Sequence, residues 1–176
     1  MRLGSSSVYR RSRLAGLFGL VAVASPAGAQ QWQLHPAEPG HGVALTYSTA
    51  HEPSYRFECA GSEMIVTETG VTKLMDVQAR KPVGDGAGAV MSPGAAMMAI
   101  YAGKGDPQFI PAQAVKNPEG GWDLTIRLPK NDKQLRAIGK SDIISLFTTG
   151  ETMAVTMDAS DRARWNDFMQ RCEAGS

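Results

Sequence analysis

Only two cysteines occur in the 176 residues, Cys59 and Cys172, and both fall on apolar faces. Tyr55, Phe57 and Cys59 alternate with Arg56 and Glu58, the period of a half-buried strand. Trp165, Phe168, Met169 and Cys172 recur at i, i+3, i+4 and i+7, which is one face of a helix. A strand and a helix that each aim a thiol at the core can be cross-linked there. The expected Cys59–Cys172 disulfide ties the first third of the chain to its end. In the chain-entropy description, closing a loop this long stabilises by roughly 4–5 kcal/mol. No CxxC redox motif is present.

Such a bond needs an oxidising compartment, and the start of the chain supplies the route to one. Arg2, Arg10, Arg11 and Arg13 precede an apolar run, Leu14 to Ala24, which ends in Ser25-Pro26 and the small-x-small triplet Ala27-Gly28-Ala29. This is the layout of a cleavable secretory signal over residues 1–29. The run of about 11 residues is too short for a membrane anchor, which needs about 20. Arg10-Arg11 and Leu14 also fit a twin-arginine signal, whereas Tyr9 and Arg13 depart from it; the general secretory route is expected. No later stretch is apolar enough to span a bilayer.

Removing residues 1–29 leaves 14 basic against 17 acidic side chains, a formal net charge of −3. Without a basic patch, nucleic acid and anionic membrane are poor partners.

Strand signals dominate what remains. Val43, Leu45 and Tyr47 alternate with polar or small residues, and Gly61-Ser62 turns the chain into Glu63–Thr69. Further strands are expected at Val71–Ala79, Ala95–Tyr101 and Gln108–Lys116. Asn117-Pro-Glu-Gly-Gly121 is a hairpin turn leading to Trp122, Leu124, Ile126 and Leu128 on one face. Asp142–Thr148 and Thr152–Met157 read as a last hairpin around Gly150. Asn131 is the expected cap of a short helix, with Gln134 reaching back; Ser160 is the expected cap of the last one. The glycine-rich stretch from Lys81 to Gly94 reads as a mobile loop.

The expected fold is mainly β: one domain, a β-sandwich or open barrel, with a short helix near 131–139 and a docked C-terminal helix near 160–173. Residues 30–40 are expected to form a loose leader, and 41–176 the domain.

The chemistry-bearing residues are sparse. His41, His51 and Glu52 are the candidate metal ligands, because imidazole and carboxylate bind zinc and copper; their spacing matches no metal motif. Eight methionines follow residue 29, but their positions suit core filling better than copper ligation. Gly84-Asp-Gly-Ala-Gly88 lacks the Gly-Lys-Ser/Thr ending of a phosphate loop. No Gly-x-Ser-x-Gly occurs. No cofactor and no catalytic residue is therefore expected. The Lys81–Gly94 loop, with Asp85, Val90 and Met91, is the candidate contact segment.

The segment Tyr55-Arg-Phe-Glu-Cys-Ala-Gly-Ser-Glu-Met-Ile-Val66 resembles the first strands of the small C-type lysozyme inhibitors. A lysine-glycine pair, Lys104-Gly105, follows Tyr101 much as in that family's later motif, whereas the long C-terminal helix departs from it. The resemblance implies inhibition of an envelope-active enzyme. The residues themselves lead to a non-catalytic, exported binding or envelope-accessory protein, periplasmic or secreted, with an envelope protein or glycan as partner. A metal-binding protein or hydrolase built on the early histidines is the other reading. Export with cleavage after Ala29 predicts an intact mass lacking residues 1–29 for the exported protein; retention of Met1–Ala29 would refute it.

Overall fold

The computed structural model describes residues 31–38, 41–49, 54–84, 86, 88–103 and 106–175. The expected signal, residues 1–29, lies outside them. No described helix is long and apolar enough to cross a membrane.

The chain forms β1 (Gln31–His35), β2 (Ala44–Ser48), β3 (Ser54–Ala60), β4 (Glu63–Val71), β5 (Met75–Asp76), β6 (Lys81–Pro82), β7 (Ala96–Tyr101), β8 (Ile110–Lys116), β9 (Trp122–Pro129), α1 (Lys133–Ile138), β10 (Ile143–Thr148), β11 (Thr152–Thr156) and α2 (Ala159–Ala174). Nine strands make one antiparallel sheet in the order β1-β2-β3-β4-β9-β8-β7-β10-β11, and β5 pairs only with β6. The sheet curls strongly into a half-barrel. The protein is therefore mainly β in the open-barrel form, and a second packed sheet is replaced by helix.

Alternation dictates which way each strand faces. Tyr55, Phe57 and Cys59 are buried on β3; Met64 and Val66 on β4; Trp122, Leu124, Ile126 and Leu128 on β9. These side chains line the concave face, where α2 lies. Trp165 of α2 stands edge-on to Phe57 at 5.0 Å and to Trp32 at 6.2 Å, and meets Phe168 at 5.5 Å. Its indole N–H donates to the Leu135 carbonyl at 3.1 Å, which fastens α1 to α2. The Cys59–Cys172 disulfide closes the far end of this contact, with a Cα–Cα distance of 5.6 Å. Lys130 adds a hydrogen bond from its ammonium to the Cys172 carbonyl at 2.7 Å.

Gly42 is fitted to this junction. A Cβ built there would lie 1.8 Å from the Cys59 carbonyl oxygen, so only glycine lets the β1–β2 connection reach β3.

Four expectations fail. Residues 31–35 are a paired strand rather than part of a loose leader: Trp32 and Leu34 alternate with glutamines, and Trp32 is buried against Tyr47 and Phe57. Val71–Ala79 is broken into the end of β4, a bend and the two-residue β5, because Glu151 and Thr149 capture the backbone of Lys73 and Met75. Asp132, not Asn131, caps α1, accepting from the Gln134 and Leu135 amides at 2.8 and 3.2 Å. The Gln134 side chain turns away and accepts from the Ala102 amide at 2.9 Å. Asp158 rather than Ser160 caps α2, in a capping box with Asp161.

Of the eight methionines that follow residue 29, Met64, Met98, Met153, Met157 and Met169 are buried in the core, as gap-fillers are. The disulfide prediction follows from the α2 seat. Cys172→Ala should lower unfolding free energy by about 4 kcal/mol in the chain-entropy estimate, read by denaturant melts; an unchanged midpoint would refute it.

Candidate functional site

The outer, convex face of the sheet divides into two unlike halves. Over β1–β4 and β9 it is polar and pairs with itself. His35 Nε2 meets Thr46 Oγ1 at 2.9 Å, Thr67 meets Thr125 at 3.3 Å, and Arg127 donates to Glu63 at 3.2 Å. His41 Nδ1 and Arg56 Nε both reach the Glu58 carboxylate, at 3.0 and 2.9 Å. Partial burial pushes Glu58 up, but the hydrogen bonds from Arg56 and His41 outweigh it and hold the carboxyl below its ordinary range.

Over β8, β7 and β10 the same face carries larger apolar side chains, with Gln113 and Ser145 between them. β8 turns the small Ala112 and Ala114 inward and sends Pro111 and Val115 outward. β10 buries Ile144 and Leu146 and leaves Ile143 and Phe147 outside. Register sets Phe147 opposite Ala99, and Phe109 continues β8 on Ala99's other side. The two phenyl rings lean together over that small residue, 6.0 Å apart. Phe109 is 47% exposed and Ile143 59% exposed. Monomeric proteins seldom leave large apolar side chains clustered and uncovered without a use for them.

The Lys81–Gly94 segment borders this patch. It is anchored rather than free: Val90 bridges Val115, the Met91 amide donates to Ala114 at 3.0 Å, and Lys116 donates to Ala89 at 2.8 Å. Val90, opposite Val115, faces outward at 58% exposure and extends the apolar stripe. Met91 instead packs against the core. Between this segment and the β5–β6 hairpin lies a cleft of about 450 Å³, lined by Asp76, Lys81, Val83 and Met91 among others. Asp85 lies outside the described residues.

Of the expected metal ligands, His41 is committed to Glu58; His51 and Glu52 lie outside the described residues. No group of three or more histidine, cysteine, aspartate or glutamate side chains able to hold a metal occurs among the described residues. The segment carrying the likeness to lysozyme inhibitors is the β3–β4 hairpin. Comparison with known protein families, curated proteins and solved structures found no match.

Phe109, Phe147, Ile143 and Val115 are the residues that strand-by-strand reading passed over. Their signal is local: Ile143-Ile144 and Leu146-Phe147 put bulk on both faces of one strand, and Ala-x-Ala inside with Val outside inverts the usual pattern.

Glu68 breaks the concave face from within. It is 1% exposed, sits between Val66 and Val71, and its Oε2 has no hydrogen-bond partner. Burial pushes its carboxyl up to about 7, against a hydrogen bond from Tyr55 and with help from the Glu151 charge. The folded state thus holds a proton that the unfolded chain, near the ordinary 4.5, has released. Its stability contribution is fully present below pH 4.5 and is lost as pH rises through about 7. A shift of this size corresponds to about 3 kcal/mol. Urea melts should lose stability across this window, and Glu68→Gln should flatten that part of the profile; an unaltered slope would refute the assignment.

Proposed function

We infer that this is an exported, non-catalytic binding protein of the periplasm, an envelope accessory that holds a protein partner on the apolar half of its convex face. The observation that carries the reading is the uncovered row of Phe109, Phe147, Ile143, Val115 and Val90, beside a polar half that satisfies its own hydrogen bonds. Fully desolvated aromatic and aliphatic anchors supply most of the energy at protein interfaces. A glycan site would pair its stacked rings with several hydrogen-bonding side chains, and this row has few. The disulfide and the helix-filled concavity make the sheet rigid, so little ordering free energy is lost on binding.

The test is capture of envelope proteins by the folded, disulfide-bonded chain, with Phe109→Glu and Ile143→Glu as probes. Both side chains are exposed, so the variants should retain native circular dichroism. The expected result is a specific partner, lysozyme among those tried, whose affinity falls about tenfold or more in the double variant, a loss above about 1.4 kcal/mol. Equal retention by both proteins, or stoichiometric zinc or copper that is lost on His51→Ala, would overturn the reading.

A further inference from the structure

β11 ends the sheet, and no described residue hydrogen-bonds to its outer edge. At the opposite border, α2 packs on the concave face of β1 through Trp165 and Trp32. Proteins commonly defend a bare edge with a charge, a proline, a bulge or a very short strand. β11 reads Thr152-Met-Ala-Val-Thr156, and its register with β10 runs unbroken over five pairs. It carries no charge, proline or bulge.

The direction of its free groups can be worked out. The Thr148 amide donates to the Glu151 carbonyl at 3.0 Å, and the Met157 amide to the Asp142 carbonyl at 2.8 Å. Bonded and non-bonded pairs alternate along an antiparallel ladder. Thr152, Ala154 and Thr156 are therefore the non-bonded positions toward β10, and their N–H and C=O groups point outward. The edge presents three donors and three acceptors in regular order.

We propose that this edge pairs with β11 of a second copy of the chain, antiparallel, about a twofold axis at Ala154. The strand is complementary to itself in that register. Ala154 meets its own copy, and Thr152 meets Thr156 twice, so all six outward groups find partners. Threonine pairs directly across a ladder are favourable, and like charges there are not. The register avoids the second: Glu151 falls opposite Met157, and Asp158 opposite Gly150. The twofold stands perpendicular to the sheet, so both convex faces end on the same side. The rows Phe147–Thr152 and Thr156–Ile143 of the two copies then join, and the two apolar patches become one broad surface. An isologous contact of this kind closes at two copies.

The test is sedimentation velocity of the disulfide-bonded protein over a range of concentrations. The wild type is expected to pass from monomer to dimer as concentration rises. Ala154 is exposed and faces outward, so Ala154→Glu and Ala154→Lys leave the core untouched while setting like charges against each other at the axis. Each alone should raise the dimer dissociation constant about tenfold or more. An equimolar mixture of the two should restore dimer, and Gln113→Glu, a comparable charge change on β8, should leave the wild-type behaviour intact. A wild type that stays monomeric throughout would overturn the proposal. So would an Ala154→Glu variant that dimerises as the wild type does, or a mixture that remains monomeric.

Discussion

Helix α2 in the concavity is the contact on which the rest of the structure depends. A curled sheet with two borders has an apolar inner face and nothing of its own to cover it. Here α2 does so together with α1: Trp165 is set among Trp32, Phe57 and Phe168, and Leu135 and Ile138 of α1 are buried in the same core. Helix α1 is held through the Trp165 indole, β1 through Trp32, and β3 through the disulfide. The elements that meet α2 come from both ends of the chain. Closing such a long loop costs chain entropy in folding, and the covalent link limits that cost by constraining the unfolded chain.

With helices in the concavity, the sheet offers its convex face for contact. That face is not uniform. Strands from the first half of the chain carry threonines, glutamines and ion pairs, which satisfy one another across neighbouring strands. Strands β7 and β10 carry bulk on both faces, whereas β8 turns the small Ala112 and Ala114 inward and the larger Pro111, Gln113 and Val115 outward.

Glu68 is the one acidic side chain buried in this core among the described residues. In its charged form it would be desolvated among Val66, Val71 and Leu124, with a single tyrosine as donor, so the proton stays on well above the ordinary range. A neutral carboxyl is compatible with the packing. Its Oε2 nonetheless has no hydrogen-bond partner, and the Glu151 charge adds to what holds the proton on.

The sequence by itself determined the local features. Alternation identified β2, β3 and β9 and their buried faces, and the turn at Gly61-Ser62 the start of β4; the i, i+3, i+4, i+7 spacing identified α2; the two in-facing cysteines predicted their own bond. These are legible because each depends on residues a few positions apart. The misses at residues 31–35 and 71–79 arose where distant groups decide, whereas both helix caps were missed among neighbouring residues that could each have served. Trp32 forms a strand because β2 and α2 receive it, and Met75 leaves β4's line because Thr149 holds its amide. The tertiary structure alone decided that one sheet curls around α2 and α1. It alone decided that Phe109 meets Phe147 across Ala99, and that Glu68 lies in the dark. Those facts depend on which strands become neighbours, and strand order is fixed by the summed burial of the whole sheet rather than by any segment of it.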